Sequence, residues 1–216
     1  MIAARFGYTP DYVQHFVTVE LKKPFFFQLL LAALYFAFLI VIGVLMRRHG
    51  ATLVANYANE ISSGQIQWAA FVGFTFGSGV IFLLGYLVSH HIIEIHTTRA
   101  DRAIIPHSLE QLLVTLPIVA LLIPFVEEMY FRGLLLSWLR QTMPAIFAAL
   151  LSAVIFALVH LHFITRPGRE GWVLTGIIFV LGFVNAIWAQ ASRSLWPPLT
   201  VHATYNGTLV LAAYLS

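Results

Sequence analysis

Residues 109–139 have the sequence LEQLLVTLPIVALLIPFVEEMYFRGLLLSWL, an apolar stretch long enough to cross a lipid bilayer. Three charged side chains, Glu127, Glu128 and Arg132, are set inside it. A charged side chain near the centre of a membrane costs about 3 kcal/mol even by the gentler scales. The three must therefore pair with one another or face a polar cavity, and acids in such a place indicate a functional site.

The composition indicates a membrane protein with many apolar segments. The chain has 216 residues, of which 60% are hydrophobic and only 10% are charged, whereas soluble domains carry about 25% charged residues. The net charge of +3 is small and the basic residues are scattered, so nucleic-acid binding has no support. Because the sequence has no cysteine, disulfides, thiolate metal sites and cysteine nucleophiles are excluded.

We expect an all-α, multi-pass transmembrane bundle with about six spanning helices. The continuous apolar runs lack the alternation of a β-barrel. We expect residues 1–216 to form a single membrane-embedded domain. Before the first span, Thr9 and Pro10 predict the start of a short interfacial helix. The predicted spans are Phe25–Met46, Trp68–Ser89, Leu109–Leu139, Ala145–Phe163, Trp172–Gln190 and Pro198–Leu215.

The distribution of Lys and Arg between the loops weakly favours a cytoplasmic N-terminus. Arg47 and Arg48, which close the first span, argue for the opposite orientation.

Two prolines precede the acidic pair in the third span. Pro117 and Pro124 each remove a backbone donor and crowd the preceding turn. The result is either an ordinary kink or a break that opens a polar cavity at Glu127.

The spacing of the charges predicts two different environments for the two acids. Glu128 and Arg132 are four residues apart and share a helical face, which allows an ion pair. Glu127 is rotated by about 100° and faces elsewhere, which suits a general base. A purely structural ion-pair network fits the same residues about equally well.

Two further polar elements lie in other spans. Phe156 and His160 are one turn apart near the end of the fourth span, and His202 and Asn206 are one turn apart in the sixth. Each is weak evidence alone, because a lone histidine in an apolar helix is more often a packing residue. His162 is expected to be interfacial, and the polar run from His90 to His96 is expected to be a solvated loop.

The ordered set resembles the CPBP family of intramembrane proteases, which includes type II CAAX prenyl endopeptidases and bacteriocin-processing or immunity proteins. Its signature is E-E-x-x-x-R, then F-x-x-x-H, then H-x-x-x-N or H-x-x-x-D, on separate helices. The matching residues here are Glu127, Glu128, Arg132, Phe156, His160, His202 and Asn206. The resemblance places the protease signature region at residues 109–216.

The resemblance implies peptide-bond hydrolysis inside the membrane. Glu127 would activate water with help from His160, while His202 and Asn206 would stabilise the oxyanion. The Glu128–Arg132 pair would hold Glu127 in place. A glutamate mechanism without metal is favoured; zinc held by Glu127, His160 and His202 is the alternative, although no ligand spacing supports it.

The implied partners are the lipid bilayer and a membrane-embedded or lipid-anchored substrate. A CAAX-like terminus, a bacteriocin leader and a C-terminal sorting helix all remain open, and a prokaryotic plasma membrane is the expected location. A proton-coupled transporter could use the same buried Glu and His residues. A non-catalytic membrane scaffold or immunity protein that keeps the fold is the third possibility.

If His160 and His202 share a site, their rings must lie within about 12 Å of each other, because both must reach one substrate. Their positions toward the end of one span and the start of another leave this in question.

Overall fold

The computed structural model describes residues 24–49, 59–98, 102 and 104–216. The predicted N-terminal interfacial helix lies outside these residues. The predicted all-α, multi-pass fold is confirmed. The described helices are α1 (Pro24–His49), α2 (Ser63–Ser89), α3 (Leu109–Leu139), α4 (Ala145–Val159), α5 (His162–Thr165), α6 (Gly168–Ser192) and α7 (Trp196–Leu215).

Among the described residues, five helical segments are long and apolar enough to cross a membrane. They correspond to the first five predicted spans. Helix α7 has 20 residues, which is long enough for a sixth. Its polar residues lie on two different faces, with Thr200, Thr204 and Thr208 on one and His202 and Asn206 on the other.

Helix α3 continues through both prolines rather than breaking. Two stretches of it, Ile118–Leu122 and Met129–Leu136, are π-helical. The wider turn of a π-helix accommodates the proline ring without ending the helix, and such turns are frequent at functional sites. The predicted break is therefore absent from α3, and the backbone is widened on both sides of the acidic pair.

Glycines allow α2 and α7 to pack closely. A Cβ at Gly73 would lie 2.0 Å from Thr204 Oγ1 and 2.4 Å from the carbonyl oxygen of Val201. A Cβ at Gly77 would lie 3.0 Å from Cβ of Thr208. The two glycines are four residues apart, which is the small-residue spacing that brings membrane helices together. This packing sets the rotation of α7 about its axis, and with it the direction in which His202 points.

Helices α3, α4 and α6 form the second half of the bundle. Their shared core is built mainly from small and branched apolar residues: Leu136, Leu139, Ala148, Ala149, Ala186 and Ala189. Gly182 of α6 lies so close to the ring of Phe156 that a Cβ on this residue would be only 2.8 Å from the ring. The close approach brings the backbone of α6 to the signature residues of α3.

Outside the spans, the loop after α2 is tied to the start of α6 by Glu170. The side chain of Glu170 is buried and its two oxygens accept the backbone N–H of His96 at 3.2 and 3.1 Å. His96 Nδ1 lies 2.9 Å from Glu170 Oε2, and Arg166 Nη1 lies 3.3 Å from Oε1. Apart from Ile93, the side chains from His90 to His96 are exposed, as expected of a solvated loop, and the imidazole of His96 in addition has a buried acidic partner.

This contact predicts a pH-dependent stability. The hydrogen bond to Glu170 raises the pKa of His96 above its ordinary value of 6.5, and Glu94 nearby acts in the same direction. The protonated ring therefore stabilises the docked loop fully below pH 6.5, and this contribution is lost as the pH rises through the folded-state pKa. We expect the melting temperature of wild type to exceed that of His96→Gln at low pH, and the difference to shrink as the pH rises.

The control for that measurement is His107→Gln, which changes another exposed histidine outside the spans. Its melting temperature should follow that of wild type at every pH. A difference between wild type and His96→Gln that stays constant from pH 5.5 to 8.5 would contradict the expected linkage.

Candidate active site

The buried centre of the site is the pair Glu128 and Arg132. Arg132 Nε lies 3.1 Å from Glu128 Oε2, and both side chains are at most 1% exposed. Arg132 Nη2 donates to the carbonyl oxygen of Gly182 at 2.8 Å, and its guanidinium carbon lies 4.5 Å from the ring centroid of Phe156. The predicted i,i+4 pair is thus present, and it binds α3 to α4 and α6.

The other oxygen of Glu128 connects α3 to two more helices. Glu128 Oε1 accepts from His202 Nδ1 at 2.8 Å and from Asn185 Nδ2 at 3.0 Å. Because a carboxylate only accepts, the Nδ1 position of His202 carries the proton. Glu128 therefore fixes the tautomer and the orientation of the His202 ring, in the manner of a second carboxylate behind a catalytic histidine.

Glu127 faces the opposite edge of the same imidazole. Its Oε2 lies 3.7 Å from His202 Nε2, and its Oε1 accepts from the hydroxyl of Tyr35 at 3.0 Å. The side chain is 14% exposed. Glu127 Oε2 is buried and has no hydrogen-bond partner among the described residues. An acceptor held in this way beside an imidazole nitrogen is a suitable place for a reacting water.

His160 reaches the same region through Phe156. The ring of Phe156 contacts those of His160 and His202 at centroid distances of 4.8 and 5.7 Å. The two imidazole centroids are thus at most about 10.5 Å apart, the sum of those distances, which is inside the limit of about 12 Å for one shared substrate. His160 Nδ1 lies 2.7 Å from the carbonyl oxygen of Phe156, so it donates there and leaves Nε2 available.

The chain turns sharply just after His160. Helix α4 ends at Val159, and Leu161 has a positive φ of 58°. Such a conformation is uncommon for a residue other than glycine, and it commonly occurs where a helix ends, as it does here. The helix does not extend to Phe163 as a regular α-helix, and His160 forms its C-terminal cap.

His162, expected to be interfacial, is half-buried, and its ring centroid lies 6.1 Å from that of His160.

Asn206 compensates for the proline in the wide turn of α3. The N–H of Ile123 bonds to the carbonyl of Ile118 five residues before it, in the π-helical register. In the same register Pro124 would bond to the carbonyl of Val119, but proline has no N–H. Asn206 Nδ2 donates to that carbonyl oxygen at 2.9 Å. One hydrogen of its amide is engaged there.

The predicted zinc ligands do not form a preformed metal site. Among the residues that the structure describes, no group of three or more His, Asp or Glu side chains converges in a way that would hold a metal ion. Glu127 and His202 approach each other, whereas the Nδ1 of His160 donates to a carbonyl oxygen of its own helix. The metal-free mechanism remains a prediction.

Apolar cavities lie beside the acidic pair, between α3 and α7. A cavity of about 180 Å³ is lined by Glu128 together with Phe125, Leu195 and Leu199. A larger one of about 440 Å³ lies further along the same two helices and is bordered also by Phe74 of α2. The surface next to the site is therefore suited to an apolar chain rather than to a polar solute.

The comparisons with known proteins address the same part of the chain. Residues 109–208 match the family model described as Type II CAAX prenyl endopeptidase Rce1-like. This region belongs to the CPBP family. The match implies protease activity of the CAAX type at the level of the family, and the Rce1-like region includes all the predicted site residues. Among curated proteins and solved structures, none matches the chain significantly.

Two residues that contact the acidic pair were not predicted from the sequence. Asn185 lies in α6, after the F-x-x-x-H element, and Tyr35 lies in α1, outside the Rce1-like region. Each is flanked on both sides by apolar residues. Asn185 is fully buried, which is the environment in which an amide needs a partner. A polar residue among apolar neighbours indicates that a partner is needed, but it does not indicate which helix supplies that partner.

Proposed function

We propose that this chain is an intramembrane endopeptidase in which Glu127 is the general base for a water molecule that attacks a peptide carbonyl. The observation that carries the proposal is the unpartnered Oε2 of Glu127, which is buried and faces His202 Nε2 at 3.7 Å. The rest of the cluster supports this role because Glu128 is already engaged by Arg132, His202 and Asn185, which leaves Glu127 as the reactive acid.

The reaction forms one C–O bond and breaks one C–N bond. Glu127 accepts a proton from the water molecule as the water oxygen attacks the carbonyl carbon. That proton then passes to the leaving nitrogen. The Nε2 atoms of His202 and His160 can exchange protons with this centre, since their Nδ1 atoms are held by Glu128 and by the carbonyl of Phe156. The second amide hydrogen of Asn206 is proposed as a donor to the oxyanion, and each such donor contributes about 3 kcal/mol to transition-state stabilisation.

The proposed substrate is a membrane-embedded or lipid-anchored peptide. The apolar lining of the cavities between α3 and α7 supports this choice, because a chain lying beside the acidic pair would contact Phe125 and Leu199. We place the protein as a single domain in the plasma membrane of a prokaryote, with the signature in residues 109–216.

The test is cleavage of a peptide panel by the purified full chain in liposomes. The panel contains a farnesylated CAAX peptide, a bacteriocin leader and a C-terminal sorting helix, and products are identified by mass spectrometry. We expect wild type to cleave at least one of them, and Glu127→Ala and His202→Ala to cleave none. Cleavage that persists in Glu127→Ala would overturn the proposal, as would the absence of any cleavage by wild type.

A zinc chelator in the same assay separates the two mechanisms. We expect the initial rate to be unchanged, since water activation is assigned to Glu127 itself. A zinc-dependent peptidase run in parallel serves as the positive control for chelation. Loss of activity with the chelator, followed by recovery on adding zinc, would contradict the metal-free mechanism and leave the assignment of the site intact.

A further inference from the structure

Helix α1 carries two polar side chains between Phe26 and Leu45, and both are directed at α3. These residues, Gln28 and Tyr35, are seven apart and so lie on one face of the helix. Gln28 Nε2 donates to Thr115 Oγ1, and the Tyr35 hydroxyl donates to Glu127 Oε1 at 3.0 Å. Ile42, seven residues further on, is buried on the same stripe.

The opposite side of α1 is exposed and apolar. Leu29, Leu30, Ile40 and Val41 are each more than half exposed, which is the character of a surface in contact with lipid. A tyrosine in such a helix is costly unless its hydroxyl finds a partner. The partner here is the acid assigned to water activation, although α1 lies outside the region that matches the family.

We propose that Tyr35 is a positioning residue for Glu127. The hydroxyl binds Oε1 and thereby fixes the rotation of the carboxyl group. Fixing Oε1 directs Oε2 at His202 Nε2, at 3.7 Å, where the water would be held. Tyr35 does not touch the substrate in this arrangement, and the inference rests on the proposed role of Glu127.

Tyr35→Phe removes the hydroxyl and keeps the ring. We expect kcat to fall by about tenfold, the effect of losing one hydrogen bond to a charged group, while KM stays near its wild-type value. Equal values of kcat in wild type and Tyr35→Phe would overturn the proposal. Tyr86→Phe removes the hydroxyl of an exposed tyrosine in α2 and should leave both constants unchanged.

A second control separates positioning from helix docking. Gln28→Leu weakens the other polar contact of α1 with α3 and leaves the hydroxyl of Tyr35 in place. We expect its kcat to stay well above that of Tyr35→Phe. If Gln28→Leu lowers kcat as much as Tyr35→Phe, the effect comes from docking of the helix, and the positioning role is wrong.

Infrared spectroscopy tests the contact without any substrate. The carboxyl band of Glu127 is the one that disappears in Glu127→Gln, and we expect it to shift in Tyr35→Phe but not in Tyr86→Phe. A band at the same position in wild type and Tyr35→Phe would overturn the inference. Because this readout needs no cleavage, it separates failure of the positioning role from failure of the proposed protease activity.

Discussion

Replacing Glu127 by Gln is expected to lower the rate of peptide cleavage by about 10²- to 10⁴-fold, the usual contribution of a general base. The amide has nearly the same shape as the carboxylate and can still accept the hydrogen bond from Tyr35. It cannot accept the proton of the attacking water. The loss should therefore appear in kcat, with the fold and the peptide-binding surface preserved. Initial rates in liposomes and the melting temperature of the same preparations measure the two effects.

Glu110→Gln is the matched control for this substitution. Glu110 lies on the same helix, in the exposed first turn of α3, and its change should leave the cleavage rate near that of wild type. A Glu127→Gln enzyme that retains more than about a tenth of wild-type activity would show that another group removes the proton of the water.

Replacing Arg132 by Met is expected to destabilise the folded protein by about 3–5 kcal/mol, the cost of removing one partner of a buried ion pair. Arg132 is 0% exposed and Glu128 is 1% exposed, so the remaining charge has no access to bulk water. The substitution also removes the hydrogen bond to the carbonyl of Gly182. We expect a large fall in the melting temperature in detergent, measured at a pH where wild type is most stable.

The double variant Arg132→Met, Glu128→Gln distinguishes destabilisation by an unpaired buried charge from destabilisation by lost packing. Removing the acid as well leaves no uncompensated buried charge, so the double variant should be more stable than Arg132→Met alone. Arg140→Met, which changes an exposed arginine just after α3, should unfold near the wild-type temperature. A double variant no more stable than Arg132→Met would show that lost packing around the guanidinium, rather than the buried charge, causes the instability.

Local spacing allowed several features to be predicted. The pair of Glu128 and Arg132 follows from four residues on one helical face, and the separate direction of Glu127 follows from the same geometry. The apolar runs indicated the membrane class because their composition excludes a water-facing globule. These features depend on residues close together in the chain, for which the helix alone sets the arrangement.

The features that could not be predicted depend on how separate helices meet. Whether His202 would approach Glu127 or the aqueous end of the bundle depends on the depth of α7, which the contacts of Gly73 and Gly77 set. The contacts of Tyr35 and Asn185 join residues 92 and 57 positions from their partners. The π-helical turns of α3 also could not be predicted from the sequence. Prolines permit either a kink or a widened turn, and the neighbouring helices select between the two.

The hydrogen bond between Asn206 and Val119 also bears on how this site can vary in evolution. The CPBP signature allows Asn or Asp at the position of Asn206, but an ionised Asp has no N–H to offer. In this chain Pro124 leaves the carbonyl of Val119 without its helical donor, and the amide of Asn206 replaces it. The freedom of position 206 is therefore tied to position 124, and an aspartate would be tolerated best where a residue other than proline restores the missing donor.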